Sequence, residues 1–312
     1  MDADLKHFKS LKKANCHLHI TGALSPRDLR RIAKIAEVDI SPFEPLEKHM
    51  DFYDPAIWAA AKEVTSTRLG LLEGIKTILA HEADDGVIYL EVTVNAAGMV
   101  RRGMSPRAIA DSISEAFAYG NTLGIAGKAK FGVNRKDGPA SAAAVKDAFD
   151  ATPEDARISI DLNGDERAFP TSSFTDEFSR LIAAGAPTSI HAGEYPELSS
   201  SLKQAIALHP ARIAHAVAAD ADAVRAFADN GIVLESSPIS NLKTRALIDP
   251  ARHPLKQFVA QGVPVLFGSD NPGIFQTTMS AELAYLAAMG IDRDMVDELN
   301  RRALALVGAS TN

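Results

Sequence analysis

Four histidines and two carboxylates stand in short motifs whose residue types suit metal-assisted chemistry. His17-Leu18-His19 closes an apolar run near the start of the chain. In an extended strand, residues two apart share a face. Both imidazoles can therefore point one way while Cys16 and Leu18 point the other. Such a pair can begin a zinc site, although an HxH also arises for ordinary structural reasons. In His191-Ala192-Gly193-Glu194, a His and a Glu three apart at a strand end can serve one site as ligand and proton shuttle. Gly193 permits a sharp turn between them. His215 ends the run RIAH, where a lone His is usually structural. The stretch Gly268-Ser269-Asp270-Asn271-Pro272 offers a carboxylate able to complete a three-His, one-Asp set.

These residues need a scaffold that brings distant strand ends together. Short apolar runs at 14–20, 86–95, 129–134, 158–163, 187–192, 211–217, 232–236 and 264–269 read as strands buried on both faces. Helical patterns lie between them, at about 26–37, 55–82, 105–120, 139–150, 174–185, 198–207, 219–230, 253–261 and 278–308. Ser105 is an apt N-cap, with Pro106 at the first helical position. Eight strands alternating with helices predict an α/β fold, a (β/α)₈ TIM barrel with a helical insertion at 24–85, after strand one. A doubly wound open sheet is the rival. In a barrel, His17, His19, His191, His215 and Asp270 would all meet at the C-terminal mouth. No Gly/Ser/Pro-rich linker divides the chain, so 1–312 reads as one domain.

Composition narrows the functional classes. The 312 residues are 46% hydrophobic and 23% charged, with a formal net charge of −7, ordinary for a globular protein. The mild acidity argues against a broad nucleic-acid footprint. The one cysteine, Cys16, excludes an internal disulfide framework and a Cys-rich zinc module. It also excludes the H-x-E, P-C-x-x-C zinc deaminase signature. The N-terminus lacks the apolar h-region of a secretory signal, and no apolar run reaches membrane-spanning length. The expectation is a cytoplasmic protein with a small-molecule partner and no membrane. Ser236 and Ser237 lack the glycines of a nucleophile elbow.

The motifs together resemble the adenosine deaminase family of the amidohydrolase superfamily. The resemblance rests on CHLHITGAL near the N-terminus, DLNGDE at 161–166, SIHAGE at 189–194, RIAH at 212–215, SSPISNLKT at 236–244 and FGSDNP at 267–272. Their order matches over nearly the whole chain. It implies a zinc-dependent barrel that releases ammonia from an adenine-type purine. His17, His19, His191 and Asp270 would hold one Zn²⁺, whose bound hydroxide would attack C6. Glu194 would move a proton at N1, and His215 would orient the hydroxide. Gly164 would meet purine N3 through its N–H, and Asn271 would meet N7.

The sequence departs from the family pattern at several positions. Asn271 stands where the family has a second aspartate, and an amide can donate to N7 directly. Thr21 replaces a common acidic residue on the sugar side. Ala214-His215-Ala216 stands for a usual GHG. These departures leave nucleosides, nucleotides and other aminated heterocycles open as substrates, with an inactive deaminase-like binding protein as a different class.

Other residues carry plainer expectations. Asp165 and Glu166 read as a solvated loop or helix start. Arg135 reads as a structural ion pair ahead of an anion ligand. Phe52, Tyr53 and Trp58 read as helix packing ahead of an apolar lid, and Phe275 as core. His7, His49, His81, His209 and His253 read as surface residues.

Overall fold

The computed structural model describes residues 2–41, 52, 55–247 and 249–309. Eight strands form one parallel sheet in sequence order: β1 Lys13–Asn15, β2 Val87–Val94, β3 Ala126–Asn134, β4 Arg157–Asn163, β5 Thr188–Ala192, β6 Arg212–His215, β7 Val233–Ser236 and β8 Val265–Phe267. Helices connect them, so each crossover returns to the next parallel strand. This is the TIM barrel expected from the sequence.

Closure of the sheet explains why the first strand is shorter than its apolar run. The expected 14–20 strand is regular only at Lys13–Asn15. Residues 16–19 instead exchange single bonds with the end of β8 and with β2. Cys16 N–H donates to Phe267 O (2.9 Å), Asp270 N–H to His17 O (2.7 Å) and His19 N–H to Asp270 O (2.8 Å). Thr93 N–H donates to Leu18 O (2.7 Å). A helical turn, Ile20–Ala23, then leads into the insertion.

Two expected helices are each split by a cap. The 55–82 pattern breaks into Pro55–Thr65 and Arg68–Asp84, because the Thr67 hydroxyl accepts from Gly70 N–H and starts a new helix. The 278–308 pattern breaks into Met279–Ala288 and Arg293–Leu306, with Gly290 at positive φ and Asp292 as the new N-cap. Ser105 caps Pro106–Thr122 through Ala108 N–H, as its sequence suggested.

The two faces of the strands differ in a way that apolar runs do not reveal. On β2, Leu90, Val92 and Val94 pack in the apolar core, while the alternate residue Glu91 is fully buried among charges. Lys130 on β3 reaches Glu235 on β7 (2.5 Å) and Glu91 (3.2 Å). Arg212 on β6 pairs with the same two carboxylates at 3.1 and 2.7 Å. The barrel interior thus holds a four-charge cluster beneath the mouth, rather than only the branched aliphatic layers common to this fold. Burial alone would neutralise Lys130, but Glu235 and Glu91 outweigh it and raise its pKa. Burial likewise opposes the charge of Glu235, and Lys130, His17 and Arg212 hold it well below the carboxylate range.

Removing one member of such a cluster strands its partners. Lys130→Met should cost about 3–5 kcal/mol, measured as the fall in unfolding free energy in denaturant. A loss below about 1 kcal/mol, the range of an exposed pair, would show that Arg212 alone balances both carboxylates.

Candidate active site

The closure bonds between 16–19 and 267–270 set His17, His19 and Asp270 side by side. Gly268 makes the approach feasible, since a Cβ there would lie 2.2 Å from His17 Cβ. Asp270 adopts φ 59°, a left-handed conformation unusual for a non-glycine residue. The bonds of its own N–H and C=O to His17 and His19 hold it there. The end of β5 adds His191 and the end of β6 adds His215, also at positive φ (69°). Such strain persists where surrounding contacts over-determine the backbone.

The imidazole orientations follow from their buried partners. His17 Nδ1 donates to Glu235 Oε2 at 2.8 Å, which leaves its buried Nε2 without a hydrogen-bond partner. His191 Nδ1 lies 3.2 Å from Asp161 Oδ2, so its Nε2 also faces inward. His19 Nε2 lies 3.1 Å from His191 Nε2 and 3.4 Å from Asp270 Oδ1, and His17 Nε2 is 3.6 Å from that same oxygen. The Nε2 atoms of His17, His19 and His191 and Asp270 Oδ1 therefore gather on the cavity floor. Ligands about 2.0–2.1 Å from one tetrahedral ion stand about 3.3 Å apart, so the spacings and the orphaned His17 nitrogen fit a divalent cation. His17, His19, His191 and Asp270 could hold it.

The electrostatics favour metal-ready protonation states. Burial pushes His19 down to about 3 and His215 well below the ordinary imidazole value. Neutral imidazoles are the ligand form. Burial opposes the charge of Asp270, but His19, His17 and His215 outweigh it and bring its carboxyl to about 2. His191 is drawn the other way. Burial lowers its pKa, but adjacent Asp161 more than compensates, so a cation at this position would compete with a proton.

His215 is fixed differently. Leu255 N–H donates to His253 Nδ1 (3.1 Å), so a neutral His253 carries its proton on Nε2, 3.4 Å from Asn241 Oδ1. That orients the Asn241 amide nitrogen toward His215 Nδ1 at 3.1 Å. The proton of neutral His215 then sits on Nε2. His215 is consequently a donor toward an oxygen, not a lone-pair ligand. His253 is buried, contrary to the surface reading, and burial pushes it down to about 4.

A cavity of about 330 Å³ opens above these groups. Glu194, His215, Thr21, Gly164 and Asn271 all line it, with His19, His191 and Asp270 at its base. His17 lies beneath, 1% exposed and covered by the others. Trp58 lines the cavity, and Phe52 stacks on Phe275 at 5.4 Å, so Phe52 and Trp58 wall the pocket as well as packing. Tyr53 and His49 lie outside the described residues.

Asn271 Nδ2 donates to Asp270 Oδ1 at 2.7 Å, while its Oδ1 lies against Gly22. The donor side of the amide must face the carboxylate, because the reverse would set two acceptors together. One N–H therefore positions Asp270, and the second remains for the cavity.

Two further sequence readings change. Glu166 is not a solvated loop residue. It is 2% exposed and accepts from Gly193 N–H (3.0 Å) and Glu194 N–H (3.2 Å), which clamps the turn carrying Glu194. Arg135 is fully buried and donates to His191 O (2.6 Å), Phe169 O (2.9 Å) and Thr171 Oγ1 (3.2 Å). It braces β5 through backbone rather than facing an anion in the cavity. Glu235 and Asn241 escaped the sequence reading. Glu235 and Asn241 adjoin or occupy the SSPISNLKT motif, but their roles depend on partners far away in the chain.

The fold and site together define a metal-dependent barrel hydrolase of the amidohydrolase type. The adenosine deaminase family model matches residues 12–308, and the chain belongs to that family. It is a deaminase-type enzyme by this kinship. An adenine deaminase of Chelativorans sp. is 33% identical, covering 94% of this chain and 93% of its own. An aminodeoxyfutalosine deaminase of Acidothermus cellulolyticus is 28% identical over 91% of this chain and 84% of its own. An amidohydrolase structure from Burkholderia ambifaria with bound Zn has the same fold, with a TM-score of 0.84, 20% identity and coverage of 98% and 88%.

Gly22 backs the Asn271 side chain so closely that an added Cβ would lie 1.8 Å from Asn271 Oδ1. Gly22→Ala should displace Asn271 from Asp270 and cost about 1–3 kcal/mol, read as a lower Tm. An unchanged Tm would mean that Asn271 has another comfortable position.

Proposed function

We propose that this protein is a zinc-dependent hydrolase that removes the 6-amino group from an adenine-type purine. Water adds at C6, the C6–N6 bond breaks, and ammonia leaves a 6-oxopurine. The observation that carries the reading is a pair of ligand groups sharing His17, one with His19 and Asp270 and one with His191 and His215, at the floor of a cavity whose wall holds Glu194, 4% exposed. The names of the adenine and aminodeoxyfutalosine deaminase relatives support it.

Zinc suits a site of nitrogen and carboxylate donors with a further position open to the cavity. When bound, such an ion lowers the pKa of a coordinated water and so supplies a nucleophile at neutral pH. The chain's own groups do the rest. Glu194 delivers a proton to purine N1 and then passes one to the departing amine. Glu166 holds the Glu194 backbone in register for that transfer. His215, with its proton on Nε2, donates to the oxygen developing at C6. Gly164 N–H reads N3, and the free Asn271 N–H reads N7. Thr21, a neutral residue, lies on the sugar side. We place the enzyme in the cytoplasm; among the described residues no helix is long and apolar enough to cross a membrane.

Protein purified without chelators should carry about one equivalent of zinc per chain. Full activity in a preparation free of transition metal would exclude the metal role.

Glu194→Gln should retain that metal, since the amide is nearly the same size. Its ammonia release should fall by about 10²–10⁴, because the amide cannot exchange the proton. Near-normal turnover would remove Glu194 from the mechanism.

A further inference from the structure

Away from the metal floor, the same cavity carries two lysines, while Asp165, a further carboxylate of its lining, is paired with Arg167 at 3.4 Å. Lys62 and Trp58 lie one turn apart on the helix Pro55–Thr65, and both face the cavity. Lys136, in the short turn after β3, lines it too. Neither ammonium pairs with a carboxylate among the described residues. The neighbouring charges are otherwise engaged, with Arg101 bonded to Asp137 at 2.8 Å and Arg102 to Glu63 at 3.1 Å. Asp137 attracts Lys62 without closing an ion pair with it, while Lys136, Arg102 and Arg101 repel it. Burial is the largest effect on Lys62 and lowers its pKa. Lys62 is half-buried and Lys136 is exposed, and two like charges at one end of a cavity repel each other unless an anion enters.

The cavity lining also holds neutral polar groups. Thr93 is 4% exposed, lines the cavity, and its hydroxyl has no hydrogen-bond partner. Asn95 and Asn134 line it as well. Their side-chain oxygens accept from Gly98 N–H and Lys136 N–H, which leaves each amide nitrogen for a ligand. A bare purine would cover the floor but leave the buried Thr93 hydroxyl and both ammoniums unanswered. A sugar-like linker bearing hydroxyls, ending in an anion, would satisfy them in turn.

We infer that Lys62 and Lys136 form an anion subsite, and that the substrate is an adenine nucleoside derivative carrying a phosphate or carboxylate on its sugar, not free adenine or adenosine. This deepens the deaminase reading and rests on it. It also accounts for Thr21, since an acidic residue there would place a further negative charge in the cavity that must admit an anion.

Ammonia release should be compared for adenosine, adenosine 5′-monophosphate and adenosine 5′-carboxylate. In parallel, the fluorescence of Trp58, the chain's one tryptophan, should be titrated with inosine and its 5′-phosphate and 5′-carboxylate. The expected result is a charged-over-neutral preference of about tenfold or more, the scale of a charge-assisted hydrogen bond. The compound with the larger preference distinguishes phosphate from carboxylate. Lys62→Met and Lys136→Met should each reduce that ratio by about tenfold, and Lys62→Arg should retain most of it. A ratio near one in the wild type, or one that neither Met variant alters, would overturn the subsite. If neither these three compounds nor free adenine released ammonia, the deaminase reading would fail, whereas release from free adenine alone would overturn the anionic substrate and leave that reading standing; the fluorescence ratio would still decide the subsite on its own.

Discussion

The structure depends on how an eight-stranded parallel sheet closes. The last bonds of the ring are not made by two long matched strands. They are made by Cys16 N–H to Phe267 O and by Asp270, whose N–H and C=O reach His17 and His19 across the seam. Three of the four atoms that converge on the cation position therefore sit on the residues that complete the barrel. Any opening of the seam would separate the ligands, and any change in ligand backbone would open the seam. The positive φ of Asp270 is tolerable because both of its backbone groups are committed.

Buried ions below the seam turn that closure into a defined chemistry. Glu235 and Asp161 each face one imidazole and select its tautomer. Glu235 is in turn balanced by Lys130 and Arg212, and Asp161 accepts from Ser189 (2.8 Å) and Asn163 (3.0 Å). Burying so many charges is costly unless every one is paired. The result is a stiff floor in which the Nε2 lone pairs of His17 and His191 point where a metal would need them. His215 belongs to a separate neutral chain through Asn241 and His253, and so keeps a proton where His17 and His191 keep a lone pair.

The chemistry and the substrate selection come from different parts of the fold. Strand ends and the turns just after them supply the floor and Glu194. The insertion after β1 supplies Phe52, Trp58 and Lys62, and the turn after β3 supplies Lys136. Loops and insertions of a barrel can vary without disturbing its closure. A neutral or an anionic substrate can thus be served by one floor, with the difference made at the rim.

By itself the sequence determined the eight-strand alternation and the residues at the strand ends. Apolar runs of strand length separated by helical patterns leave few architectures open, and HLH, HAGE, RIAH and SDNP carry their chemistry in adjacent residues. The sequence also marked Ser105 as a cap, because capping is a local hydrogen bond. It did not show where apolar runs cease to be strands, since the end of β1 is decided by closure against β8. The tertiary structure alone decided that Glu166 clamps Glu194, that Arg135 braces β5, and that His253 is buried. Only the fold brought Lys62 and Lys136 to one cavity. Each of these depends on contacts between distant segments. A side chain's type states what it can do, but its burial and its partner, set by the packed fold, decide what it does.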